Sequence, residues 1–470
     1  MTDEVFPEHK AEAGVFWIRD GKEIAGTLKY TEEGYALGLS DFCFMPKQVE
    51  ISDGAIRYGV APDQIAADFS ARVIFGRLSD GSLITFLDAH MQPGPDFTFH
   101  SRQLFEGHRR LHGAHISGED EEVEGIRWSW PVSASTVNWT TETEVAGPIP
   151  GQLAPWEHDR NAGLTFMAGT PTPLEVLTQN VQSSAAQLIG LWTRKEAPMP
   201  LVTEIFLVEH GWCSYVHKEE EEQKLLRSSA LLPLGKLGLE QMASWLPLAA
   251  KLEPFPYIAN LQPTVVQVEA QVLLTALEGL HRRLHSNERP FHEVSVRGVE
   301  RAMKAARLAG AQALANEGLT DQSAAEKVLR DALSHVDQPS YHERLVQLVN
   351  PVLEVAPGVC GPELESWLAI VKKIRNDQSH QLLGTFGNAE LGPYFVATTS
   401  CKWILILRIL LEMVSPEDLR EAVKKSQSFM YALANMDEEH IWGEPGALGT
   451  FTAAGSDSSD HENGGYEVDT

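Results

Sequence analysis

The 470-residue chain is short of the features that assign a function most directly. Its four cysteines, Cys43, Cys213, Cys360 and Cys401, form no CxxC pair, which excludes a cysteine-rich zinc module and a disulfide framework and leaves buried free thiols as the expectation. It contains no P-loop, no dinucleotide fingerprint, no HExxH and no GxSxG, so the common signatures of nucleotide binding, zinc proteolysis and the serine nucleophile elbow are missing. Positive charge is scarce: 38 Lys and Arg face 65 Asp and Glu, a net charge of −27. A general coat for nucleic acid or an anionic membrane is thereby excluded. Long hydrophobic runs are also lacking. The most apolar segment, CKWILILRILLEM from Cys401, is interrupted by Lys402 and Arg408 and falls short of the roughly 20 apolar residues of a membrane span. A buried helix, and no membrane association, is expected there. The start, MTDEVFPEHK, is charged and has no apolar core, so neither a signal nor a transit peptide is expected and residence is expected to be cytoplasmic.

What is present is a chain with 43% hydrophobic residues, enough for two or three cores, of which two are expected. The first part reads as β structure. GVFWIRDGKEIAGTLKY alternates on both sides of Asp20-Gly21, and ARVIFGRLSDGSLITFLDAH does so around Asp80-Gly81, so both segments predict hairpins. Further strands are expected in GIRWSWPVSAS, NAGLTFMAG and PLVTEIFLVEHGWCSYV, with helices at 98–110 and 173–190. KEEEEQK at 218–224 reads as a solvated connector. After EPFPYIANLQP the pattern turns helical, with helices at 265–285, 294–316, 320–335 and 341–353, then one opened by Gly361-Pro362, one over FVATTSCKWILILRILLEMV, and one capped by Ser415 with Pro416 at its first position. The expected organisation is α+β: a mostly antiparallel β domain over 1–217, a linker over 218–261, an all-α bundle over 262–444, and a disordered acidic tail over 445–470.

The chemistry is concentrated in VKKIRNDQSHQLL, residues 371–383. Trp367, Ile370, Val371 and Ile374 mark one face of a helix, and Arg375, Asn376, Asp377 and His380 then follow at once. Arg375 and His380 are five residues apart, which is about 140° around a helix axis. Either the helix breaks near Asp377 to Ser379, or two copies of it face each other across a two-fold axis. The residue types suit cleavage of RNA without a metal. Attack of a 2′-hydroxyl on the adjacent phosphate needs a group that moves protons near neutral pH, which His380 offers, and a fixed cation for the phosphoryl oxygens, which Arg375 offers. The planar guanidinium holds two such oxygens at once, and Asn376 and Asp377 are placed to orient these groups. The run 282–307 holds seven Lys or Arg against three Glu. Arg282 and Arg283, together with Lys372 and Lys373, are the candidate RNA contacts.

The pattern R-N-x-x-x-H, between an amphipathic and an apolar helix, resembles the signature of the HEPN superfamily of all-α ribonucleases. LTALEGLHRRLH, YHERLVQLV and WLAIVKKIRNDQSH are similar to successive helices of its ApeA-like group. IAGTLKYTEEGYALGLS, VIFGRLSDGSLITFLDAH and LHGAHISGEDEEVEGIRWSWP resemble the domain that precedes HEPN in such proteins. Together these pieces cover roughly residues 13–215 and 262–415. The resemblance implies a defence protein that cleaves RNA, tRNA above all, and so halts growth on infection. It also implies Arg375 and His380 as the catalytic pair with Asn376 as auxiliary, a homodimer, no metal or cofactor, and a sensor or regulatory role for the N-terminal domain toward a phage-derived trigger. The alternative is a non-catalytic HEPN dimerisation or binding module coupled to a ligand-sensing domain.

Three other features bear on function. His108, His112 and His115 in HRRLHGAH have a spacing that metal ligands use, but Gly113 and the adjacent arginines favour packing and turn positions. His281 and His285 are four apart with no carboxylate at ligand spacing, and read as RNA contacts or solvated groups. Trp17, Trp128, Trp130 and Trp139 are expected mainly in cores rather than in a ligand groove.

Overall fold

The structure, a computed structural model, describes residues 11–31, 34–43, 70–92, 103–216, 230–261, 265–286, 288–334, 336–380, 391–439 and 441–442; of 378–380 the backbone alone is described. The chain divides into two compact units between Asn260 and Leu261.

The first unit begins with the two expected hairpins. β1 (Ala11–Trp17) and β2 (Ile24–Thr31) pair antiparallel. Asp20 takes a positive φ of 61°, and the Gly21 N–H closes the turn on Ile18 O at 2.9 Å. β4 (Arg72–Leu78) and β5 (Leu83–Gln92) repeat the arrangement, with Gly81 at φ 89°, a conformation that glycine adopts without steric cost. With β3 (Gly34–Leu39) and β6 (Gln103–Gly107) these strands close a ring in the order β1-β2-β3-β6-β5-β4. Phe16, Leu28, Leu37, Ile74, Ile84, Phe86 and Phe105, all inaccessible to solvent, fill its interior. Period-2 alternation puts them on one side of every strand.

The sheet continues from β5 through β7 (Arg110–His112), β13 (Gly211–Val216), β12 (Val202–Leu207), β8 (Glu122–Ser133), β11 (Asn161–Pro173), β10 (Gly151–His158) and β9 (Thr143–Val145), antiparallel throughout. Trp128 and Trp130 on β8 are fully buried, with ring centroids 5.6 Å apart edge to face, and the Trp139 Nε1–H donates to Leu237 O at 2.7 Å. Trp128 and Trp130 belong to the core, as expected, and Trp139 is half-buried beside Trp130. A helical stretch follows, α1 (Leu174–Leu177), a π segment (Thr178–Ser183) and α2 (Ser184–Thr193).

Two expectations fail in this unit. The helix expected at 98–110 is strand where it is described, because Gln103, Phe105 and Gly107 are buried in alternation; 98–102 lie outside the described residues. Of the linker expected at 218–261, 218–229 lie outside the described residues, and much of the remainder folds as α3 (Leu239–Leu252) and α4 (Phe255–Asn260). The apolar face of α3 packs on β9 and β10, and the buried Trp245 donates its Nε1–H to Ser184 O at 2.7 Å. Pro247 and Pro254 gave this stretch the composition of a loop, but Leu239, Met242, Trp245, Leu246 and Ala249 supply a helical stripe that outweighs it.

His112 gives the first unit a pH dependence. Burial, reinforced by the neighbouring Arg110, lowers its pKa to about 4, against smaller opposing effects of Glu12 and Asp80. The unfolded chain therefore binds the proton first as pH falls through about 6.5, and stability present above that value is lost progressively toward pH 4, by about 3 kcal/mol in all. A His112→Gln variant is expected to lose that part of the slope in urea unfolding followed by tryptophan fluorescence between pH 7 and pH 4.5.

The second unit is all helical. α5 (Val266–Leu284), α8 (Tyr341–Val355), α9 (Leu364–His380) and α12 (Gln427–Glu438) surround α10 (Leu391–Leu410). α10 is long and apolar enough to cross a membrane by composition alone, yet Trp403, Ile404, Leu405, Ile406 and Leu407 are all buried inside the unit. It is the core helix that its sequence predicts. Trp367 of α9 is fully buried and donates Nε1–H to Ser400 Oγ of α10 at 2.7 Å. α6 (Val296–Asn316) and α7 (Gln322–Leu333) pack chiefly on each other.

Helix ends follow local chemistry. Ser415 caps α11 (Pro416–Lys425) by accepting from the Asp418 N–H at 3.1 Å. α9 starts two residues later than Pro362 suggested, with the Trp367 N–H donating to Glu363 O. α12, capped by Ser426, is a helix that the sequence reading did not separate. The expected connector KEEEEQK and the tail 445–470 lie outside the described residues.

Candidate functional site

α9 carries the R-N-x-x-x-H segment, and the helix runs on through His380. The break considered near Asp377 to Ser379 does not occur. Within one chain Arg375 and position 380 therefore point about 140° apart around the axis. Val371 and Ile374 face the core, Asp377 is half-buried, and Lys372, Lys373, Arg375 and Asn376 are exposed. On the helical wheel Lys372, Lys373, Asn376 and position 380 fall within roughly 100° of one another, forming one stripe. Arg375 lies at the edge of that stripe, against the buried face. The side chain of His380 is outside the described residues.

Arg375 is held in place from two neighbouring helices. Its guanidinium donates to Glu278 Oε2 of α5 at 3.2 Å and lies 4.4 Å from the ring centroid of Tyr341 on α8. Glu278 is shared by two further arginines: Arg344 of α8 donates to Oε1 at 2.9 Å, and Arg282, one turn along α5, donates at 2.8 Å. Three guanidiniums around one carboxylate leave a local excess of positive charge in a chain that is acidic on average.

Arg344 is 5% exposed, and its remaining donors are satisfied by Pro339 O at 2.9 Å and Gln338 Oε1 at 3.1 Å. Burial and the neighbouring Arg282 lower its pKa against the pull of Glu278. The Tyr341 hydroxyl is buried without a hydrogen-bond partner among the described residues, and burial raises its pKa. This arrangement fixes one face of the Arg375 guanidinium against aromatic and carboxylate partners while 44% of the side chain stays exposed. A planar cation fixed in this way suits a phosphate.

Among the other candidate RNA contacts, Arg282 and Arg283 are exposed at the end of α5, Arg282 engaged with Glu278. Of the wider basic run, Arg289 is paired with Asp337, while Arg297, Arg301 and Lys304 are exposed along one face of α6. Glu278, Tyr341 and Arg344 were not singled out from the sequence. One signal did exist: Arg344 stands four residues before Leu348 on the apolar stripe of its helix, and a buried arginine there requires a partner.

The histidine candidates separate. His108, His112 and His115 lie in strand and loop, where the His115 Nε2–H donates to Gly76 O at 2.9 Å and the ring meets Trp17 edge-on. His108, His112 and His115 belong to no group of three ligand side chains among the described residues. His281 and His285 do meet a carboxylate, contrary to the expectation: Glu288, beyond the end of α5, brings its oxygen within 4.8 Å of a ring nitrogen of each. All four cysteines are free and buried, as expected, and burial pushes the Cys401 thiol up to about 12.

No significant match appears among curated proteins or among solved structures. Residues 273–419, which span α5 from Leu273 through Leu419 of α11 and include the Arg375 cluster, match the family model described as Apea-like HEPN, and the helical unit of this chain thus carries an Apea-like HEPN domain.

Proposed function

We propose that this chain is a metal-independent endoribonuclease of the HEPN type, with tRNA as its substrate, acting in the cytoplasm in anti-phage defence of the abortive-infection kind. The family match supports a HEPN-type nuclease or defence role. The observation that carries the finer reading is the exposed guanidinium of Arg375, fixed by Glu278 and Tyr341 at the edge of the stripe that bears Asn376 and position 380.

In this reading the 2′-oxygen attacks the adjacent phosphorus while the bond to the 5′-oxygen breaks, leaving a 2′,3′-cyclic phosphate and a 5′-hydroxyl. His380 moves the proton that the 2′-hydroxyl loses and the leaving oxygen gains. Arg375 holds the two non-bridging oxygens as charge builds on them, and Asn376 orients the sugar-phosphate. Lys372 and Lys373 contact the flanking backbone, together with Arg282 and Arg283. Because one helix turns Arg375 and position 380 apart, the working site draws the arginine from one protomer of a homodimer and the histidine from the other. The N-terminal unit serves as sensor for a phage-derived trigger.

The test is incubation of purified full-length protein with bulk tRNA in excess EDTA, followed by mapping of the product ends. Cleavage that persists and yields 2′,3′-cyclic phosphates is the expected result. Intact RNA in the presence of the trigger-activated protein, or cleavage that requires added metal and leaves 3′-hydroxyls, contradicts the proposal. A purely binding module would retain RNA in a shift assay and cut none.

A further inference from the structure

We infer that His281, His285 and Glu288 form a binding site for one zinc(II) ion at the carboxyl end of α5, distinct from the Arg375 cluster. One ligand atom from each of the three lies within 4.8 Å of the others. Zinc takes imidazole nitrogens and a carboxylate oxygen at about 2.0–2.2 Å, with water completing a tetrahedron. Its ligand atoms then stand roughly 3.3 Å apart, so binding requires rotation of the exposed Glu288 side chain and of the imidazoles, whose rings are stacked.

A second observation points the same way. His281 is 2% exposed, and its Nε2 meets Gln347 Oε1 of α8 at 2.6 Å. An amide oxygen there accepts, so Nε2 carries the proton and the lone pair of a neutral ring sits on Nδ1. Among the described residues Nδ1 is buried and has no hydrogen-bond partner. A buried acceptor without a partner is costly, and a metal-ligating histidine is typically held in this manner, by a hydrogen bond on its other nitrogen.

His285 stacks on His281 with centroids 4.7 Å apart, and its Nε2 is likewise buried without a partner among the described residues, while Nδ1 stands 2.8 Å from Glu288 Oε1. The carbonyl end of a long helix adds a field that favours cations. Arg282, on the same helix, is engaged with Glu278. An ion here ties the segment after α5, including Arg289 with its partner Asp337, to the body of the bundle.

The proposal is tested on full-length protein stripped with EDTA and then dialysed free of it. Isothermal titration with zinc chloride is expected to show one strong site per chain, and the thermal midpoint is expected to rise with zinc. Glu288→Gln alters an exposed side chain and is expected to fold normally yet bind zinc at least about tenfold more weakly. His285→Ala is expected to abolish the strong site. Gln347→Leu, which removes only the orienting hydrogen bond, is expected to weaken binding by about 10–100-fold. Absence of a strong site in the folded wild-type protein overturns the proposal, as does unchanged binding in both Glu288→Gln and His285→Ala. Because binding is measured directly, the outcome does not depend on whether RNA is cleaved.

Discussion

Replacing Arg375 by alanine is expected to lower the rate of RNA cleavage by about 10²–10³-fold, the usual loss when one preorganised donor to a developing oxyanion is removed. Stability is expected to change by less than about 1 kcal/mol, because the ion pair with Glu278 is partly exposed and the carboxylate keeps its two other guanidiniums. Arg375→Lys separates charge from geometry. It preserves the cation but not the fork that grips two phosphate oxygens or the planar stacking on Tyr341, and a loss close to that of alanine is expected. Single-turnover cleavage beside urea unfolding reads both quantities. A fully active, folded Arg375→Ala protein would exclude the assigned role.

The largest effect on stability is expected from Glu278→Ala. Arg344 is almost wholly buried, and Glu278 is its charge partner among the described residues. Removing that carboxylate leaves an uncompensated guanidinium inside the helical unit, at a cost of about 3 kcal/mol or more. The double variant Glu278→Leu with Arg344→Met is expected to recover most of the loss, since a buried ion pair and an apolar pair of similar volume are often equal in stability. Urea denaturation of the three proteins measures this. A single variant as stable as the wild type would show that Glu278 is not what compensates Arg344.

The contrast between local and non-local information explains what could be read in the sequence. The hairpins at Asp20-Gly21 and Asp80-Gly81 are local: alternation and a turn that admits positive φ lie within twenty residues, and the strands form there. The helices over 265–285 and 341–353 declare themselves by their apolar stripes in the same way. β6 was misread because 98–110 contains as many charged and polar residues as a surface helix, and its alternation has meaning only beside β3 and β5. Similarly, α3 was hidden by prolines whose neighbours pack on strands nearly a hundred residues earlier.

The site divides along the same line. Arg375 and Asn376 stand out in one short segment, whereas the residues that fix Arg375 are remote in the chain. Glu278 is separated from Arg344 by 66 positions and from Arg375 by 97. No pattern in a single helix announces that convergence, which exists only once α5, α8 and α9 pack around α10. Glu288 escaped notice for a related reason: it approaches His281 and His285 only because the chain leaves the helix at residue 285.

The angular relation on α9 makes the central claim directly testable. Arg375→Ala and His380→Ala proteins are each expected to be inactive alone. Co-expressed with different tags and isolated as mixed dimers, they contain one site with an intact arginine from one protomer and an intact histidine from its partner. RNA cleavage at about half the wild-type dimer's rate is predicted for that species. Mixed dimers as inactive as either parent would contradict a site shared between two chains.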